Sequence, residues 1–283
     1  MKYDFNICGV TRKDATNFVQ SRHYSKVMPK LTKHYLGCFL ADDLVAVVTL
    51  GWGTQPKQTI RKLFDGLDTD DYFEIGKMCM DAKMPCNSES QMLSAVAGWI
   101  KQQCPEKQYL YTWADGIMGK PGYVYQASNF LYGGFIWTDI YISADGEKIH
   151  PRSTGTMLEE NVEFKMKRDP AFFAGREPRL FWLTADYLDH KDIRKIAGKQ
   201  FRYILPLNKK ARRHLKKSKV SWGTNYPKDN DLVWRDKSIL GTEILQDMPF
   251  INGDVTAFNS KNVNAHLNDK AAFFTREGSG CDL

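Results

Sequence analysis

Apolar positions along the first half of the chain change rhythm several times. In "TRKDATNFVQSRHYSK", Ala15, Phe18 and Val19 sit three and four positions apart behind Thr11, which predicts a capped helix ending near His23. "HYLGCFL" and "LVAVVTLGWG" read as two strands joined by the "ADD" turn, a hairpin by pattern. "YFEIGKMCMD" alternates like a strand. "MPCNSESQMLSAVAGWIKQQC" then places Met92, Leu93, Val96, Trp99 and Ile100 on one helical face, with Asn87 and Ser88 as candidate caps and Glu89 in the first turn. "YLYTWAD" suits a buried strand, "YVYQASNFLY" a short helix closed by Gly133 and Gly134, and "GGFIWTDIYI" a further strand. A helix, a hairpin and then β–α–β–α–β predict a mixed α/β (α+β) sheet with one central crossover helix.

Past "EKIHPRSTG" the texture changes. Residues from about 155 to 200 read as helical and strongly charged, "FRYILPL" as one more strand, and the region beyond Trp222 as a loop-rich tail. The pattern suggests one domain over residues 1–225 and a tail over 226–283.

Charge sharpens this picture. The whole chain carries +7, yet residues 191–219 hold twelve Lys or Arg against one acid, Asp192, a local balance of +11 that leaves −4 for the rest. Such concentration points to a polyanion, because each cation that neutralises a phosphate releases a counterion. Lys209, Lys210, Arg212, Arg213, Lys216 and Lys217, within "KKARRHLKKSK", are the expected DNA contacts. No run of about 18 apolar residues would span a membrane, and "MKYDFNICGV" lacks the pattern of a secretory signal. The six cysteines form no CxxC pair, so reduced thiols in a cytoplasmic setting are expected.

Candidate chemistry gathers in "TWADGIMGKPGYVYQASNFLYGG". Asp115 closes a strand, three glycines and Pro121 follow, and tyrosines lead into a short helix. An acid at a strand end facing a glycine loop is where α/β folds place reacting groups, although a turn or cap acid would look the same.

The order of elements resembles the GNAT N-acyltransferase fold, in which an acyl-CoA pyrophosphate lies at the start of the central helix. The usual Q/R-x-x-G-x-G/A loop is absent, with "DAKMPCNSES" in its place. That turn is therefore open to a different anion. A narrower resemblance covers roughly residues 10–225: "SRHYSK", "EIGKMCMDAKMPCNSES", "ADGIMGKPGYVYQASNFLYGG", "HPRS" and "FRYILPLNKKARR" look like the phage Mom family. Those proteins add a carbamoylmethyl group to the exocyclic amine of adenine in phage DNA and so block host restriction.

The resemblance implies catalytic positions at Asp115, His23, Tyr24, Ser25, Ser90 and Lys77, and substrate contacts at Tyr125, Ser88, Asn87 and Asn129. Lys77 stands where such sequences commonly carry Arg. An exocyclic amine is a poor nucleophile, so a carboxylate or imidazole must take its proton, a role open to Asp115 or His23. Tyr24 and Tyr125 would stack on or bond an extruded base. The donor stays open, with acetyl-CoA or another acyl-CoA disfavoured by the missing loop. So does a transition metal held by His, Tyr and Asp. Double-stranded DNA is the expected partner.

Overall fold

The computed structural model describes residues 2–23, 25, 27–53, 55–146, 148–149, 155–171, 183–237, 243–245 and 247–249. A short strand β1 (Asn6–Gly9) leads into helix α1 (Arg12–Arg22), where the Asp14 N–H donates to the Thr11 hydroxyl at 3.1 Å, the expected N-cap. The expected hairpin follows as β2 (Leu31–Leu40) and β3 (Asp43–Trp52). Helix α2 (Pro56–Leu63) precedes β4 (Tyr72–Met80), and the crossover helix α3 (Ser88–Gln103) carries the chain to β5 (Tyr109–Ala114). After the glycine loop come α4 (Tyr123–Ala127), β6 (Leu131–Ile142), β7 (Lys148–Ile149), α5 (Gly155–Arg168) and α6 (Ala185–His190). The described chain closes with β8 (Arg194–Pro206), α7 (Lys209–His214), β9 (Trp234–Asp236) and β10 (Glu243–Leu245).

The result is a mixed, mostly antiparallel open sheet in the order β1-β2-β3-β4-β5-β8-β6-β7, with β9 on β8 and β10 on β9. The face toward α3 buries Phe73, Ile75, Leu110 and Ala114 against Met92, Leu93, Val96 and Ile100. The opposite face buries Tyr72, Tyr109 and Tyr111 against Ile60, Leu63 and Phe64 beside α2, and against Ala211 of α7. Helix α1 covers β2 to β4 on that second face through Phe18, Val19, Val47 and Cys79.

Two features depart from the pattern-based reading. Strand β8 begins at Arg194, seven residues before "FRYILPL", and lies between β5 and β6, antiparallel to both. The charged residues that open it make ion pairs, which masks the alternation: Arg194 with Asp236 (2.6 Å) and Lys195 with Asp139 (3.3 Å). Beyond residue 225, β9 joins β8, and the buried Trp234 donates its indole N–H to the Ile117 carbonyl at 2.9 Å.

Strands β4 and β5 are the one parallel pair of the described sheet, and they pair only at Tyr72–Tyr109, Phe73–Leu110 and Glu74–Tyr111. A bulge at Gly76 shifts the register of β4 on β3, with Thr49 opposite Lys77 and Leu50 opposite Ile75. Beyond Glu74 and Tyr111 the two strands part: β4 follows β3 to Met80 while β5 follows β8 to Ala114. The gap between them is a wedge that opens at the C-terminal end of both strands.

Candidate active site

The wedge holds a cavity of about 570 Å³ bordered by Arg22, His23, Met78, Trp113, Asp115 and the chain from Gly119 to Tyr125. A second lobe of about 180 Å³, with Glu74, Lys77 and Gln200 in its wall, shares His23, Met78, Trp113, Asp115 and Tyr125 with the first.

His23 arrives from the C-cap of α1, where the backbone turns extended (φ −93°, ψ 139°). The Ser25 N–H donates to its Nδ1 at 2.9 Å. A backbone amide always carries its hydrogen, so the neutral ring keeps its own proton on Nε2 and presents a donor. The Ser25 carbonyl, 3.0 Å from the same nitrogen, would accept only from a ring protonated there. Burial, then the charges of Lys77 and Lys120, depress the His23 pKa to about 3. The Lys77 ammonium in turn donates to the Ser25 hydroxyl at 2.7 Å, and its backbone N–H to Thr49 Oγ1 at 2.8 Å.

Asp115 sits across the wedge at the end of β5. It precedes a 3₁₀ turn, Gly116–Met118, without capping it through its side chain. Burial holds the Lys120 ammonium below the ordinary lysine value, and nearby Asp115 partly offsets this. The glycines of this loop answer packing demands. A Cβ on Gly116 would lie 2.5 Å from the Phe201 ring, and Gly122, at φ +96°, would meet the Tyr203 ring at 2.7 Å. The loop thus folds down onto β8, which brings Lys120 and Tyr123 to the cavity wall.

Tyr125 borders both lobes but is buried, with ring centroids 5.4 Å from Phe130 and 5.5 Å from Tyr203. Cys79 also borders the larger lobe. Burial raises its thiol to about 11, so it stands there as a small apolar group.

The model of the Mom protein family matches residues 4–228, from the strand before α1 to the chain beyond α7. The chain belongs to the Mom protein family. It is similar to Methylcarbamoylase mom of Escherichia phage Mu, 31% identical over 214 residues, which cover 76% of this chain and 80% of that protein.

Within this Mom-family frame the structure brings His23, Lys77, Asp115 and Tyr125 to the wall of the wedge, with Ser25 behind them bonded to His23 and Lys77. Tyr24 lies outside the described residues. Asn87, Ser88 and Ser90 are elsewhere. Ser88 is fully buried and donates to the Pro85 carbonyl (2.7 Å), Ser90 donates to the Asn87 carbonyl (2.9 Å), and Asn87 makes the left-handed turn (φ 69°) into α3 without a side-chain cap. Both serine hydroxyls donate to backbone carbonyls, and none of the three residues borders the wedge cavity. Asn129 is exposed in a left-handed turn after α4, outside the cavity wall.

Sequence reasoning missed Trp113, Lys120, Arg22 and Gln200. Trp113 was legible, two residues before Asp115 in one strand; Gln200 was not, because the extent of β8 was hidden. Among the described residues no three His, Cys, Asp or Glu side chains converge as a metal site. Among the described residues, Cys38, Cys79, Cys86 and Cys104 are free thiols. No helix of the described residues is long and apolar enough to cross a membrane.

The basic segment is split by the fold. Lys191, Arg194, Lys195 and Lys219 are paired with Glu160, Asp236, Asp139 and Asp65. Lys209, Lys210, Arg212, Arg213, Lys216 and Lys217 are exposed and in no ion pair among the described residues. Asn208 caps α7 by accepting from the Ala211 N–H (2.8 Å), and the Tyr109 hydroxyl donates to the Ala211 carbonyl (2.9 Å). This places α7 at the start of β5, about 20 Å along the strand from Asp115.

Proposed function

We propose that this protein is a phage-encoded DNA base-modifying transferase, which joins a carbamoylmethyl-type group to the exocyclic amine of adenine in double-stranded DNA and so protects it from host restriction. The observation that carries the reading is the parted β4–β5 pair, with Asp115 on one wall and the His23–Ser25–Lys77 network on the other. A parallel pair that splays beside its crossover helix also supports a GNAT-like acyltransferase architecture. Family membership and the name of the Mu relative support the transfer chemistry.

In this reading the amine nitrogen forms a bond to the electrophilic carbon of an activated donor. The bond from that carbon to its leaving group breaks with its electron pair, and the amine proton passes to the Asp115 carboxylate. His23, neutral and with its proton on Nε2, is suited to donate a hydrogen bond to the developing negative charge rather than to act as the base. The exposed cations of α7 hold the DNA backbone. Mass spectrometry of nucleosides from the DNA of cells expressing the protein tests this: a modified adenosine absent from control cells is expected, and unmodified DNA sinks the proposal.

A further inference from the structure

A transferase must bring two substrates to one point, and the wedge has two lobes that meet at His23, Trp113 and Asp115. The lobes differ in chemistry. The larger carries Arg22, Lys120 and the main chain of the glycine loop; the smaller carries Glu74, Lys77 and Gln200.

Strand alternation and position along the strands together set which lobe lies nearer the nucleic acid. Side chains two apart share a face, so Trp113 projects with Tyr109 and Tyr111, and Glu74 with Tyr72. Tyr72, Tyr109 and Tyr111 are the residues packed against the α2 and α7 side. The six exposed cations of the α7 region lie on that same side of the sheet. Glu74 stands two residues from Tyr72, at the α7 end of the wedge, whereas the larger lobe runs on to the glycine loop beyond β5, so nucleic acid held by these cations meets the smaller lobe first.

Trp113 is built as a platform. Its cross-strand partner Arg202 holds a guanidinium 5.2 Å from the indole centroid, and Tyr111 meets it edge-on at 5.5 Å and 87°. The ring is thereby oriented, yet it stays half-buried and borders both lobes. Gln200, two residues before Arg202, offers a side-chain amide with one donor and one acceptor, the pair that matches the amine and ring nitrogen of adenine.

We infer that the smaller lobe is the acceptor-base subsite: an extruded adenine stacks on Trp113, Gln200 and Glu74 read its edge, and the larger lobe is left to the donor. This rests on the DNA-modification reading above. Stacking supplies affinity for a base and the edge contacts supply choice, while the amine is delivered to Asp115 at the junction.

The test uses the full chain and a mixed-sequence single-stranded oligonucleotide carrying 8-azidoadenine, photolysed and mapped by peptide mass spectrometry. Adducts are expected on the peptides holding Trp113 or Gln200. They should fall about tenfold or more in Trp113→Leu and be largely kept in Trp113→Phe. Gln200→Leu, at a half-buried strand position, replaces Trp113→Leu if the latter does not fold, and should likewise lower the adduct yield. Adducts confined to other surfaces, or undiminished in both variants, overturn the assignment. The two readings fail separately. Trp113 adducts without any modified nucleoside in cells would leave the base subsite standing and remove the transfer chemistry. Modified nucleosides with adducts elsewhere would do the reverse.

Discussion

The ammonium of Lys77 donates to the hydroxyl of Ser25 at 2.7 Å, which ties the bulged stretch of β4 to the chain leaving α1. Ser25 holds His23 through its backbone N–H, so a lysine on one element sets the imidazole of another. Lys77 is also, after burial, the largest cause of the depressed His23 pKa. Lys77→Met removes a positive charge beside the ring and should raise that pKa. An NMR titration of the His23 ring protons reads the change; an unmoved midpoint would refute the electrostatic link.

His23 makes stability depend on pH. Its folded pKa of about 3 lies below the free value of 6.5, so the unfolded chain takes up the proton first. Its contribution is complete above the free value and is lost as pH falls toward the folded one, at up to about 1.4 kcal/mol per pH unit. His34, also depressed by burial, acts in the same direction. Urea unfolding of wild type and His23→Gln between pH 7.5 and 4.5 isolates the His23 share. Wild type should lose stability more steeply, by up to one proton per molecule; equal slopes would count against the buried neutral imidazole.

Asp115→Asn keeps size and polarity and removes basicity. The fold should survive, because the carboxylate does not cap the turn that follows it, and the modified nucleoside should fall by about 10²- to 10⁴-fold, the usual range for a lost general base. Near-wild-type modification by a folded Asp115→Asn protein would defeat the assignment.

The α7 region should dominate the salt dependence of DNA binding. Replacing Lys209, Lys210, Arg212 and Arg213 with Gln is expected to lower the slope of log affinity against log salt by roughly 3 to 4, about 0.9 per lost phosphate contact. Fluorescence anisotropy with a labelled duplex at several salt concentrations measures it. An unchanged slope would reduce the helix to a solvated face.

Local signals located most elements and part of the wedge's lining. Thr11 announced α1, the apolar face of Met92 to Ile100 announced α3, and Asp115 stood out at the end of an aromatic strand. What stayed hidden depended on partners far away in the chain. The ion pairs of Arg194 and Lys195 disguised the first half of β8 as a charged helix. Ser88 and Ser90 looked like ligand-holding hydroxyls because a sequence does not display the carbonyls they satisfy. Gln200 became a wall of the wedge only through the insertion of β8 beside β5.

That insertion also sets a timetable for the ribosome. Residues 194–206 fill the middle of the sheet, between strands made some 80 and 60 residues earlier. Until they emerge, β5 and β6 each present a bare hydrogen-bonding edge, and the strand that carries Asp115 has one neighbour, β4, held by three residue pairs. The nascent chain therefore carries a sticky, half-finished sheet from the completion of β5 until β8 is made, which favours engagement by chaperones. The same strand runs directly into α7, so the segment that completes the sheet also delivers the main cluster of exposed cations. The completed sheet and the exposed cations arrive together, late, from one stretch of chain.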